Sequence, residues 1–373
     1  MRTFDPKLNP YEMKRNFKPF ALLLALALAG GQLNAQFTTT FSKNVNPGQH
    51  SGFYYALPQT MLRLDFVIEE TQCEQGPLAG YASNYFGGKD YAEYSFKEYK
   101  LLDVTMTSVA APDPNATFFV HVNTGRGAGK VDFDLLPNGI IRSVGVGNAV
   151  QAAETEEVAV YPQADPLPMP KAKSSDFLTM MSSGKSDAQL AREAADKIEE
   201  IRKAKLNLVS GYYETAYVPE SLQLMFDKLD ELEAEYMSLF MGSRVTQTVV
   251  RSIYVIPSKE VATQTVAKFS ESEGLSTGSS GMGSPVMVQT LPLNVTAAIN
   301  APSQSAIESM SYENKVFYRV PEMANVKVTF RNGTLVEERL PVNQLGALLM
   351  APLSNTRLVF DTQTGQIVNM RME

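Results

Sequence analysis

Residues 186–242 read SDAQLAREAADKIEEIRKAKLNLVSGYYETAYVPESLQLMFDKLDELEAEYMSLFMG, and the fold class turns on this stretch being helical. From Pro219 to Met241, large apolar residues fall at Leu222, Met225, Leu229, Leu232, Tyr236 and Leu239. Steps of three and four hold such residues on one face of a helix. Asp227, Lys228, Asp230, Glu231, Glu233 and Glu235 between them suit a wet face. Pro219 fits a first helical turn, where its missing N–H costs nothing, and Gly242 fits the stop. The earlier run opens on Ser186 with Gln189 three residues on, the spacing of a capping box. It continues through Leu190, Ala194, Ile198 and Ile201 to Leu208, with Gly211 beyond. Each helix would span roughly 30 Å at 1.5 Å per residue. A break of about ten residues predicts an antiparallel αα-hairpin. Its two stripes are expected to pack on each other and on a neighbouring domain, as a structural brace without an active site.

On both sides of this stretch the period falls to two. Downstream, Val245 to Ile256 is strongly β-branched and ends at Pro257, and Val261 to Phe269 is its expected partner strand. Ser270 to Ser284 is rich in Gly and Ser and predicts a mobile loop, after which Val286 to Leu293 resumes as a strand. Val316 to Pro321 is a further strand. Val326–Arg331 and Thr334–Leu340 form a hairpin about Asn332-Gly333, and Leu358–Asp361 and Gln366–Arg371 another about Thr364-Gly365. Upstream, Met61 to Glu69 alternates, Gly76-Pro77 breaks it, and Leu78 to Phe86 predicts a short helix. Leu101–Val109 and Thr117–Asn123 predict strands separated by Pro112-Asp113-Pro114. Val131–Leu135 and Ile140–Val146 flank Pro137-Asn138-Gly139, a turn signal because Asn and Gly tolerate positive φ.

The expected fold is therefore α+β, mostly β, with two antiparallel β-sandwich-like lobes and the αα-hairpin between them. The segments are a signal peptide (1–35), a flexible Thr/Asn-rich arm (36–51), an N-terminal β-domain (52–150), a Pro/Ser-rich linker (151–185), the hairpin (186–242) and a C-terminal β-domain (243–373). An internal echo joins the β-regions. Tyr55-Ala56-Leu57-Pro58 resembles Tyr318-Arg319-Val320-Pro321, and Val131-Asp132-Phe133-Asp134 with Gly139-Ile140 resembles Leu358-Val359-Phe360-Asp361 with Gly365 and Ile367. Both pairs occur in the same order, which raises the possibility of two related lobes; the alternative is that these are common strand-edge phrases.

The chain has 373 residues and a formal charge of −7, enough length for two domains and the wrong sign for a nucleic-acid backbone as main partner. Lys14, Arg15 and Lys18 precede an uninterrupted Ala/Leu core from Ala21 to Ala29, and Leu33-Asn34-Ala35 offers a small residue before a cut. That is the pattern of an export signal whose core is too short for a stable transmembrane helix. Cleavage would leave Gln36 as the first residue, so this is not a lipoprotein, which needs Cys there. No later stretch reads as transmembrane. The single cysteine, Cys73, has no internal partner and is expected to be buried.

The residues argue against most catalytic chemistries. His50 and His121 are the two histidines, and neither a zinc motif nor a Ser-His-Asp apparatus can be assembled from them. Gly125 to Lys130 looks like a phosphate loop but fails the spacing and leads into a strand, so it predicts a hairpin loop. Asp132, Asp134, Asp361, Glu337 and Glu338 are carboxylates from which a glycosidase pair could be drawn, and solvent or turn roles explain them as well. The unusual feature is aromatic: Tyr81, Tyr85, Phe86, Tyr91, Tyr94, Phe96 and Tyr99. Exposed tyrosines make flat platforms for sugars or proteins, and Tyr81, Tyr85, Tyr91 and Tyr94 are the candidate partner or glycan surface. Packing between a sheet and its covering helix is the competing role. No catalytic, cofactor or metal residues are expected.

Several phrases together resemble a Bacteroidota family of exported proteins classed only as a domain of unknown function (the DUF4831 type). They are Tyr55-Ala56-Leu57-Pro58 entering Leu62-Arg63-Leu64, Gly76-Pro77-Leu78-Ala79 with Tyr81-Ala82 and Tyr85-Phe86-Gly87, and Pro112-Asp113-Pro114. Leu206-Asn207-Leu208 with Ser210-Gly211, Tyr318-Arg319-Val320-Pro321 and Phe360-Asp361 with Gly365 complete the set. The resemblance implies an envelope location in a Gram-negative cell and brings no catalytic residues. The expected function is a non-enzymatic envelope protein, periplasmic or outer-membrane-associated, binding or scaffolding an unknown envelope protein or glycan. The alternative is a carboxylate-dependent glycan-active enzyme.

Overall fold

The strands outrun the stretches that punctuation marks out in the sequence. A computed structural model describes residues 37–45, 51–87, 91–122, 131–146, 184–210, 218–278, 280–353 and 356–372. The signal pattern of 1–35, the loop at 125–130 and the linker up to residue 183 lie outside these. Strands are β1 Phe37–Phe41, β2 Gly52–Glu74, β3 Phe96–Val122, β4 Val131–Leu135, β5 Ile141–Val146, β6 Ser243–Val255 and β7 Thr263–Ser270. They continue as β8 Gly274–Ser276, β9 Ser284–Pro292, β10 Ser311–Glu313, β11 Lys315–Phe330, β12 Gly333–Pro352, β13 Thr356–Phe360 and β14 Ile367–Met372. Helices are α1 Ala82–Tyr85, α2 Asp187–Val209, α3 Pro219–Met241 and α4 Gln304–Ser309. Three sheets result, ordered β10-β1-β3-β2-β6, β12-β11-β9-β7-β8 and β14-β13-β5-β4. The fold is α+β and mostly β, as expected.

Prolines bend the long strands without ending them. Pro lacks the ladder N–H and survives inside a strand at a bulge or an edge. In β2 the register shifts between Ala56 and Pro58, and Pro58 faces Pro112 of β3. In β11 it shifts between Val320 and Glu322, around Pro321. The stretches split in the sequence at Pro112-Asp113-Pro114 and at Pro321 are thus single strands. The arm expected at 36–51 is likewise corrected. Phe37–Phe41 is an internal strand between β10 and β3, with Phe37, Thr39 and Phe41 buried. Its threonines are β-branched and suit a strand as well as a polar tail. The supposed partner of β6 is also different: β6 pairs with β2, while β7 pairs with β9 and β8. Within the predicted mobile loop, Gly274–Ser276 is strand β8.

Two of the three hydrophobic cores among the described residues draw on both ends of the chain. One gathers Leu62, Leu64, Phe66 and Val104 of the first sheet against Phe269, Val288, Val326 and Val342 of the second. The other gathers Phe37, Tyr55 and Phe118 with Phe317, Leu358 and Val144. At roughly 1.5–3 kcal/mol per fully buried large apolar side chain, these contacts dominate the stabilising side. The lobes therefore do not correspond to 52–150 and 243–373. Where the cores meet, the bends lock together. Arg319 donates to the Pro58 carbonyl at 2.8 Å and to Asp113 Oδ2 at 2.7 Å, both partners buried. The Phe317 N–H donates to the Tyr55 phenol oxygen at 3.0 Å, and burial pushes that phenol's pKa far up.

The echoed phrases occupy matching places. Ala56 N–H donates to Gly139 carbonyl at 2.9 Å, and Arg319 N–H donates to Gly365 carbonyl at 3.0 Å. In each half, the turn of a short hairpin docks on the bend of a long one. A further strand then pairs with the outer part of the long hairpin's first arm, β6 at the sheet edge on β2 and the internal β9 on β11.

The two long helices pack antiparallel, Arg202 on Glu233 and Lys205 on Asp230 and Glu233. Ala191 and Ala194 are fully buried beside Leu190, Ile198, Leu239 and Phe240, and Leu78 and Ala82 close this third core. Leu232 departs from the expected stripe, being 39% exposed. A helix advances 3.6 residues per turn, so Leu232, three residues after Leu229, falls about 60° short of a full turn, while the residue four on comes closer to the contact face. Glu233 takes the inward place and is held there by Arg202 and Lys205, which keep its pKa below the ordinary carboxylate value.

Candidate functional site

The far end of the first sheet, where it meets the end of α3, holds a cleft. Cys73 on β2 lies directly opposite Phe96 of β3 and Arg244 of β6. Residues opposite one another in an antiparallel ladder share a face, so a phenyl ring, a thiol and a guanidinium stand in one row. Above the row, α3 ends at Met241, and Gly242 at φ 78° turns the chain into β6. Only glycine serves at 242, because a Cβ would lie 2.3 Å from the Glu74 carbonyl oxygen.

The segment 91–95 closes the cleft and is fastened at three points. Ala92 N–H donates to Met241 carbonyl at 3.2 Å. Gln75 donates through Nε2 to Glu93 carbonyl at 2.7 Å and through its N–H to Ser95 Oγ at 2.9 Å. The cleft is open on one side and has a volume of about 640 Å³, lined by Cys73, Tyr91, Glu93, Tyr94, Phe96 and Arg244 and by the helix end through Met241 to Ser243. Tyr94 is 66% exposed, its ring 5.7 Å from that of Phe96. The Ser243 hydroxyl is buried and has no hydrogen-bond partner among the described residues. Among the described residues, neither the Glu93 carboxylate nor the Arg244 guanidinium is engaged in an ion pair or hydrogen bond. Cys73 is buried at 5% exposure, as expected, and its side chain forms part of the wall.

The four tyrosines singled out in the sequence take mixed roles. Tyr91 and Tyr94 line the cleft, and Tyr91 also packs against the helix-pair core. Tyr81 packs against the helix-pair core, and Tyr85 stands in an aromatic cluster with Phe86 and Phe240, their ring centroids 6.4 and 6.0 Å away. The competing role, packing between sheet and helix, fits those two and Tyr91 as well. Arg244, Ser243 and Cys73 were not legible as site residues, since only strand register brings them to the tyrosines. The helix pair expected to be a pure brace supplies one wall through its last residues.

The carboxylates serve other ends. Asp134 pairs with Arg142, Glu337 reaches Lys327 and Asn325, and Asp361 caps its own turn by accepting from Gln363 and Thr364 N–H. The buried Asp65 is matched to Arg63 at 2.8 Å. Glu322, also buried, lies beside a smaller recess of about 260 Å³. It accepts from Val295 and Thr296 N–H and the Thr296 hydroxyl, bracing a turn in which Asn294 has φ 59°. Burial pushes its pKa up, but those hydrogen bonds outweigh burial and hold it below the ordinary value. Among the described residues, no cluster of three or more His, Cys, Asp or Glu could hold a metal ion, and no helix is long and apolar enough to cross a membrane.

Comparison with known proteins places the chain. Residues 51–368 match the family described as a domain of unknown function, DUF4831, and the chain belongs to that family. The match runs from β2 to β14 and includes the helix pair and the cleft. No curated protein and no solved structure matches.

Proposed function

We propose that this family member is an exported, non-enzymatic protein of the cell envelope, periplasmic or outer-membrane-associated, that binds a glycan or protein partner at the cleft under α3. The observation that carries the reading is the fastened 91–95 segment, which sets Tyr91 and Tyr94 in the wall of a preformed cleft. Its volume falls within the roughly 300–1,000 Å³ of small-ligand sites, which are concave and largely preformed. A concave, aromatic-walled cleft favours a short glycan over the flat face of another protein. The basic, then Ala/Leu-rich N-terminal pattern supports the envelope address.

The test combines a glycan array with photo-crosslinking from position 91 in native envelopes, using the chain beginning at Gln36. Tyr94→Ala is expected to weaken binding about tenfold while leaving the melting temperature unchanged, since Tyr94 is mostly exposed. Failure to recover either a glycan or a crosslinked partner would sink the reading.

A further inference from the structure

We infer that the cleft selects an uncharged, hydroxyl-rich saccharide, an inference that rests on the binding reading above. The cleft presents one planar cation, Arg244, and one carboxylate, Glu93, so its formal side-chain charge cancels. Both groups are unengaged among the described residues. An anionic ligand would be drawn to Arg244 but repelled by Glu93, and a cationic one would meet the reverse. A sugar hydroxyl both donates and accepts, so one ring can give a hydrogen bond to the carboxylate and take one from the guanidinium. Hydrogen bonds to charged groups are the stronger kind, contributing about 1.5–3 kcal/mol each.

The apolar part of the cleft fits the same ligand. Tyr94 and Phe96 lie close together, and Phe96 shares a sheet face with Cys73 and Arg244. A pyranose ring has C–H faces that lie on an aromatic face and a rim of hydroxyls that reach outward. The register sets Phe96 and Arg244 on the same face with Cys73 between them, two strands or roughly 10 Å apart, a span that a saccharide of more than one ring covers.

The experiment uses the absence of tryptophan from the chain. Tyr94→Trp keeps an aromatic face at the rim and installs the single indole as a fluorescent reporter in the full mature chain. It is titrated with neutral trisaccharides of gluco, galacto and manno configuration, each matched with its uronic-acid counterpart, and with chitotriose against its de-acetylated, cationic form. The expected result is binding of a neutral member, with a dissociation constant changing less than about twofold between 0.05 and 0.5 M salt, because no net charge is neutralised. Arg244→Gln and Glu93→Gln, in the reporter background, should each weaken it about tenfold or more. Tighter, salt-sensitive binding of an acidic or cationic member overturns the inference and leaves the binding reading standing. Recovery of a crosslinked protein with no saccharide bound does the same. With neither, both fail.

Discussion

Asp113 sits between two prolines and looks in the sequence like turn punctuation, yet it is buried. Its carboxylate receives Arg319 at 2.7 Å from the other long hairpin and also accepts from Asn115 N–H. Burial lowers the Arg319 pKa while Asp113 opposes that shift. Removing one member of such a pair strands the other in a dry interior, at a cost of about 3–5 kcal/mol. Asp113→Ala should lower unfolding free energy by about that amount in urea titration, and adding Arg319→Met should recover part of it. Glu322 gives the matching prediction in pH. Its native pKa is depressed, so its contribution is fully present above the ordinary value of 4.5 and is lost as pH falls through the lower native value. Glu322→Gln should flatten stability over that acid range and cost roughly 1.5–3 kcal/mol at neutral pH. A wild-type-like acid profile in the variant would refute this. Neither role is legible in sequence: both carboxylates look like surface residues until strands distant in the chain are brought to them.

At the scale of elements, the sequence was most legible where signals were local. The short hairpins, the αα pair with Pro219 and Gly242 at the ends of α3, and the positive φ of Gly139 and Gly365 all follow from residue type. At Asn332-Gly333 the loop is one residue early. Phe330 pairs with Gly333, so Arg331 and Asn332 take positive φ, at 48° and 65°. The adjacent register shift between Val328 and Thr329 moves the turn, and no local signal in the sequence sets such a shift. The two docking glycines allow a paired test. Gly139 has open space where a Cβ would be, whereas a Cβ at Gly365 would lie 2.9 Å from Pro58 Cδ. Gly139→Ala should cost about 1–2 kcal/mol, the price of a left-handed conformation. Gly365→Ala should cost about 1–3 kcal/mol more, because it also displaces the β2 bend. Equal losses in thermal melts would mean that the docking at Pro58 is slack.

For the whole molecule, sequence order suggests one lobe on either side of the helix pair, and the cores are instead built across both. Periodicity reports which residues face inward but not which strand they meet, and partners such as Leu64 with Ile253 are far apart in the chain. The Gly139 and Gly365 dockings match, but the two larger sheets do not share a strand order, β10-β1-β3-β2-β6 against β12-β11-β9-β7-β8. Cutting between the two halves removes more than a domain. Residues 36–242 keep β2 and β3 but lose β6 along thirteen residues of β2, from Leu62 to Glu74. They also lose every second-sheet side chain that covers Leu62, Leu64 and Phe66. Phe37, Tyr55 and Phe118 lose Phe317, Val316 and Leu358. At roughly 25 cal/mol per Å² of apolar surface returned to water, the loss far exceeds the about 5–15 kcal/mol of net stability that a folded domain holds. The fragment should therefore show no cooperative thermal transition, while the chain from Gln36 to Glu373 melts in one transition by both calorimetry and near-ultraviolet circular dichroism. A cooperatively melting 36–242 fragment, or two separate transitions in the full chain, would restore the picture of independent lobes.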